Sequence, residues 1–191
     1  MAALEPAGAT LRILGKMDSW GESPLPVVLG MGLAKGEAMD EAVRQATEMG
    51  VTRVFPFISE RSERLTPERV ERRRARWRRL ARESLKSCQR SILPLIEAPR
   101  DFAAALEGPE EVKLIFWEEE RGSGLKPLLQ LPRPQDVRVL IGPEGGFSAG
   151  EAALAREAGF HVVSLGPRLL KVPTATLAAI TLLQYAWGDL A

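Results

Sequence analysis

The stretch Val137-Arg-Val-Leu-Ile-Gly-Pro-Glu-Gly-Gly-Phe-Ser148, with the later Leu165-Gly-Pro-Arg-Leu-Leu-Lys-Val-Pro-Thr-Ala175, decides how this chain folds. Each begins at or just after an apolar run, breaks at a Gly-Pro turn and leads into a helix. Residues 137–141 and 161–165 are apolar without strict alternation, the pattern of strands covered on both faces. Ser148 and Glu151 have the spacing of a capping box, so a helix starts there, and Gly159 ends it. Strand, turn, helix, strand, turn, helix is the signature of a parallel α/β sheet.

Working outward, the same alternation extends upstream. Residues 26–33, 51–58, 91–96 and 112–117 read as four further strands, the third interrupted by Pro94 and therefore placed at an edge. Residues 37–49 carry Met39, Ala42, Val43, Ala46 and Met49 at helical spacing, with Gly50 as the stop. Thr66-Pro67 opens a long helix reaching Cys88, in which Val70, Trp77, Leu80, Ala81, Ser84, Leu85 and Cys88 form one narrow stripe. A short helix over 100–106 and a last helix over 174–187 complete the set. Residues 118–135 read as a polar loop and 1–24 as a mixed tail.

Composition narrows the function. The chain has 191 residues, 45% hydrophobic and 27% charged, which is globular. One Cys excludes an internal disulfide, and one Cys with one His cannot build the usual zinc sites. No apolar run is long enough to span a membrane, and Glu5 and Pro6 interrupt the start of the chain where a signal peptide needs an apolar core, so the expected location is the cytoplasm. The net charge of +1 conceals an asymmetry: residues 60–90 hold 12 basic and five acidic residues, a balance of +7 against −6 elsewhere. A basic helix on an otherwise acidic protein points to an anionic partner on one face.

In open α/β sheets ligands sit beyond the carboxyl ends of the strands. Three such ends are distinctive. Gly30-Met-Gly32 with Gly36 loosely matches a dinucleotide turn, which would make the protein a nucleotide-cofactor oxidoreductase, but the third glycine is displaced and no acid ends the next strand. The turn at 142–148 exposes backbone N–H groups to a ligand yet lacks the Gly-Lys-Ser/Thr ending of a P-loop. The third is the turn at 165–175.

The two late turns, followed by Tyr185-Ala-Trp-Gly-Asp-Leu190, resemble the C-terminal region of the RsmE-like methyltransferases of the SPOUT class, which methylate a uridine of small-subunit ribosomal RNA. The segments 33–62 and 76–84 resemble the family's upstream segment and its basic helix, so the likeness covers roughly 25–190. It implies an α/β fold, a parallel sheet with helices on both faces and a C-terminal trefoil knot, with S-adenosylmethionine in the knot loops, ribosomal RNA or the small ribosomal subunit as partner, and a homodimer. It divides the chain into a remnant of the family's PUA-like barrel over 1–24 and a methyltransferase domain over 25–191.

The resemblance assigns S-adenosylmethionine to Phe116, Glu118, Ile141, Gly142, Gly145, Leu165, Gly166, Leu170, Thr174 and Ala175, and makes the last helix a dimer surface. RNA falls to Arg61, Arg72, Arg73, Arg76 and Arg79. Arg90, the one residue kept from the family's Glu-Gln-Ser-Gly-Arg segment, is the expected stabiliser of a uracil anion, with no metal required. Glu144 organises its turn, and His161, at a strand start, is expected to be structural. The family's Leu-Arg-Thr-Glu-Thr-Ala is here Leu170-Lys-Val-Pro-Thr-Ala175, so a homologue that binds S-adenosylmethionine or RNA without transferring a methyl is the alternative.

Overall fold

The computed structural model describes residues 3–5, 8–10, 12–16 and 18–190, the first two stretches by their backbone alone. Strands β1 (Ala3–Glu5) and β2 (Gly8–Thr10) pair antiparallel as a separate hairpin. Part of the expected 1–24 remnant therefore lies outside the described residues.

The main sheet is built from β3 (Val27–Gly32), β4 (Arg53–Ile58), β5 (Leu95–Ile96), β6 (Arg100–Asp101), β7 (Val112–Phe116), β8 (Val137–Ile141) and β9 (His161–Val163). The order is β5-β4-β3-β8-β7-β9, β6 also pairs with β4, and every pairing is parallel. The central β3 and β8 are wholly buried, as their apolar sequences require.

Alternation along the strands feeds two cores. Leu29, Met31, Val139 and Ile141 face α1 (Ala38–Glu48), α2 (Pro67–Cys88) and α5 (Val172–Trp187) through Met39, Val43, Trp77, Leu80, Ile180 and Trp187. Val28, Phe55, Phe57 and Leu140 face α3 (Phe102–Leu106) and α4 (Ala149–Glu157) through Phe102, Ala105, Ala152 and Ala155. This is the expected parallel sheet with helices on both faces. No helix among the described residues is long and apolar enough to cross a membrane.

Local chemistry explains most boundaries. Gly50 follows α1 with φ +85°, a left-handed turn that lets its N–H return to Thr47 O at 3.3 Å. Ser148 accepts from the Glu151 N–H and the Glu151 carboxylate accepts from the Ser148 N–H, completing the capping box of α4. Three elements depart from expectation. The edge strand shrinks to two residues, because Ser91 is instead held by Trp20 and Glu22 before Pro94. Arg100 and Asp101 pair with Phe57 and Ile58, so α3 starts only at Phe102, capped by Asp101. The loop before β8 contains a 3₁₀ turn, Leu128–Gln130.

Two buried ion pairs brace the sheet. Arg138 on β8 donates to both oxygens of Glu110 at 2.7 and 3.1 Å and to Ala105 O at 3.0 Å. Burial acts to raise the Glu110 pKa, but the hydrogen bonds and charge of Arg138 outweigh it and hold the carboxyl below its ordinary value. Glu22, paired with Arg90, is lowered in the same way: Arg90 and the N–H groups of Ile92 and Ser91 together overcome the opposing effect of burial.

Candidate functional site

Beyond the carboxyl ends of β7, β8 and β9 lies a cavity of about 640 Å³. Parallel register brings Phe116 beside Ile141 and Val163, so the three loops that follow leave the sheet side by side. They form the cavity walls: Trp117 and Glu118 after β7, residues 142–144 and Gly146 after β8, and Ser164 to Gly166 with 168–173 after β9. The N-terminal end of α1 adds Glu37, Ala38 and Glu41.

The cavity gathers Phe116, Glu118, Ile141, Gly142, Leu165, Gly166, Leu170 and Ala175 from the residues expected to hold the cofactor. Gly145 and Thr174 are not on its surface. Gly145 faces outward: a β-carbon there would lie 2.9 Å from Arg61 Cβ, and its carbonyl accepts from Arg61 Nη1 at 2.8 Å. The neighbouring Gly146 is the one on the wall. Its φ is +68°, and a side chain would run into the Glu118 carboxylate. Trp117 lines the cavity within the expected wall from Phe116 to Glu118, and Glu144 and Ser164 also line it, although sequence reasoning did not assign these two to the cofactor. Trp117 donates from Nε1 to Phe147 O at 3.1 Å, and Glu144 accepts from the Lys35 N–H at 2.9 Å, tying the loop after β3 to the turn after β8.

Apolar side chains at Phe116, Ile141, Leu165 and Leu170 form a slot of the kind a purine fills, with glycines keeping backbone groups within reach. Four carboxylates (Glu37, Glu41, Glu118, Glu144) stand on the lining against two cations, Arg168 and Lys171. Such a lining suits a ligand with an apolar ring and positively charged groups.

The other candidates go elsewhere. Gly30 and Gly32 serve packing: a β-carbon on the first would collide with Leu140 and Phe55, and on the second with Pro143, so neither makes a dinucleotide turn. Arg90 is buried away from the cavity. Its guanidinium donates to Thr47 O at 2.5 Å, to Val51 O at 3.1 Å and to Glu22 Oε2 at 2.7 and 3.1 Å, near the start of the sheet. The structure thus uses Arg90 to join the entering chain to the ends of α1 and α2. His161 is exposed at the start of β9.

The arginines of α2 divide. Arg73 donates to Ala34 O at 3.2 Å and pairs with Glu63 at 2.8 Å, and Arg76 pairs with the nearly buried Asp40 at 2.6 Å. Arg72 is exposed, and Arg79 only loosely approaches Glu83 at 3.8 Å. Arg61 is fixed on the turn after β8, as above.

A family model described as an RNA methyltransferase domain matches residues 21–184. The ribosomal RNA small subunit methyltransferase E of a Synechocystis strain is 35% identical over 178 residues, 91% of this chain but 58% of that protein's length. The enzyme of the same name from Buchnera aphidicola of Schizaphis graminum is 33% identical, over 93% of this chain and 72% of its own. A putative methyltransferase of Legionella pneumophila, solved with bound S-adenosylmethionine, superposes with a TM-score of 0.82 at 34% identity, covering 89% of this chain and 70% of that one. The Neisseria gonorrhoeae small subunit methyltransferase E bound to S-adenosylmethionine gives 0.81 at 33%, covering 90% and 70%.

Proposed function

This chain belongs to the RNA methyltransferase domain family, and we propose that its cavity binds S-adenosylmethionine and that the protein transfers the methyl group to a uridine of small-subunit ribosomal RNA, at ring nitrogen 3. The observation that carries this reading is the cavity itself, whose walls are the three loops after β7, β8 and β9. The site fits the cofactor on its own terms, with an apolar slot for adenine, a β-carbon-free wall at Gly146 and carboxylates to face the sulfonium and ammonium.

When bound, S-adenosylmethionine supplies a methyl group that is already electrophilic. The chain's work is to orient and to exclude water. Phe116, Ile141, Leu165 and Leu170 would hold the adenine, and the backbone of 142–144, Gly146 and 164–166 would hold the ribose and the amino-acid end. Nitrogen 3 lies on the Watson–Crick edge, so the uracil must enter unpaired, and the acceptor must be held in line at roughly 3–3.5 Å. As the N3 proton passes to a carboxylate of the lining, negative charge spreads over the ring. With Arg90 committed elsewhere, Arg168 and Lys171 are the cations placed to meet it.

Phosphates are received by Arg72 and Arg79 on the outer side of α2, while Arg61, Arg73 and Arg76 shape the surface beside them. Leu177, Leu182 and Tyr185 stand exposed on α5, which supports pairing of two copies through that helix. The β7–β8 loop holds the C-terminal segment, with Ser123 O accepting from Ser164 N–H at 3.0 Å and Leu131 O from Trp187 Nε1 at 3.0 Å, which supports the trefoil threading. An enzyme acting on ribosomal RNA works in the cytoplasm.

The test is tritiated methyl transfer to small-subunit ribosomal RNA, free and assembled, followed by nucleoside mass spectrometry. The expected product is 3-methyluridine, and no incorporation from either substrate overturns the activity. Cofactor binding without incorporation is the result the non-catalytic alternative requires, and the withdrawal of Arg90 from the cavity is the observation that favours it.

A further inference from the structure

Between the end of β9 at Val163 and the start of α5 at Val172 the cavity wall has no helix or strand of its own, so something must hold it in place. The loop leaving β7 does so. Ser123 O accepts from the Ser164 N–H at 3.0 Å, and Gly124 bridges to Ser164 in parallel register. Ser164 Oγ in turn accepts from the Gly166 N–H at 3.1 Å, and both residues face the cavity.

The loop's own conformation is set by one carboxylate. Glu120 Oε1 accepts from the N–H groups of Gly122 at 2.7 Å and Ser123 at 3.1 Å, and Oε2 accepts from Arg156 Nη2 on α4 at 2.5 Å. The Glu120 side chain is 11% exposed and that of Arg156 47%, so the pair stands at the rim of α4 rather than in the cavity. Those contacts, led by the Gly122 N–H, keep the Glu120 carboxyl below its ordinary pKa, so the ionised form is the one in place near neutrality. Arg156 also lies 5.8 Å over the ring of Trp117, a second cavity residue.

We propose that Glu120 and Arg156 are a positioning pair for the cofactor: together they fix the loop 117–124, and through Ser123 and Ser164 they set the wall at Gly166. This rests on the reading of the cavity as the S-adenosylmethionine site. The pair touches neither cofactor nor substrate. Without the charge on Glu120, Arg156 turns to water and the wall loses the ion pair that ties it to α4 through that loop.

The experiment is titration calorimetry with S-adenosylmethionine on wild type, Glu120→Gln, Arg156→Gln, Arg156→Lys and the Glu120→Gln/Arg156→Gln double variant. It is paired with amide exchange at Ser164 and Gly166 in the ligand-free protein. Each Gln variant should weaken binding about tenfold, and the double variant should do no more than either alone, because both break one connection. Arg156→Lys keeps the charge and should stay within about twofold. The thermal midpoint should move by no more than about 2 °C, while exchange at Ser164 and Gly166 accelerates. Wild-type affinity in Glu120→Gln, additive losses, or unchanged exchange would overturn the pair. Failure of the wild type itself to bind S-adenosylmethionine overturns the cavity assignment and the pair with it, a result distinct from binding that ignores the substitutions.

Discussion

Gly145 and Gly146 are chemically identical in the sequence, and the backbone alone separates them. Gly146 takes the positive φ and the cavity wall, while Gly145 backs onto Arg61. Gly146→Val should therefore abolish measurable S-adenosylmethionine binding, a loss of about a hundredfold or more, since the branched side chain is strained at that φ and enters the Glu118 carboxylate's space. Gly145→Ala should cost under about tenfold, because the flexible Arg61 stem can shift. Calorimetry on the two variants decides, and the opposite ranking would return the cofactor wall to Gly145. Arg90 invites a similar comparison. Arg90→Lys forfeits the forked contact with Glu22 and should lower unfolding stability in urea by about 2 kcal/mol while leaving cofactor affinity unchanged. Loss of affinity at unchanged stability would restore Arg90 to the site.

At the scale of elements, α2 is a composite of a buried stripe, a structural row and a free row. Trp77, Leu80, Ala81 and Ser84 are the buried part of the stripe expected from spacing, with Val70, Leu85 and Cys88 only half-buried at its margin. Arg73 and Arg76 are spent on Glu63, Ala34 and Asp40. Replacing Arg72 and Arg79 together by Gln should weaken RNA binding and flatten its dependence on log salt by about two counterions, with no change in fold. Arg76→Gln should instead destabilise, because it strands the nearly buried Asp40. Filter binding across salt concentrations separates the two outcomes; equal slopes for wild type and the Arg72/Arg79 variant would remove α2 from the RNA surface. The brace between β8 and the chain before β7 makes its own prediction. Glu110→Ala leaves Arg138 buried without a counter-charge and should cost about 3–5 kcal/mol.

Over the whole molecule, acid stability follows from the same carboxylates. Glu22 and Glu110 ionise more readily folded than unfolded, so their contribution is fully present above the ordinary carboxylate value of 4.5 and disappears as pH falls through the lowered folded values. Stability measured by denaturant between pH 7 and pH 3 should fall below about pH 4.5, and Glu110→Gln should shallow that decline. Association belongs to this scale too. Tyr185→Asp with Leu182→Glu should convert a dimer to a monomer in light scattering, and a wild-type monomer would overturn pairing through α5.

The parallel architecture was legible because its cause is local. Apolar runs at 27–32 and 137–141 are long enough to name buried strands, Ser148 and Glu151 announce a helix start, and Gly50 a helix end. The cavity loops were legible for the same reason, since Gly-Pro turns after strands must lie at the carboxyl edge. Tertiary structure alone decided which way each glycine faces, that Gly30 and Gly32 make room for Leu140, Phe55 and Pro143, and that Arg90 is drawn into the framework by Glu22, which lies 68 residues away in sequence. A residue's type sets what it can bond to, but the partner it finds depends on chain segments that only the folded sheet brings together.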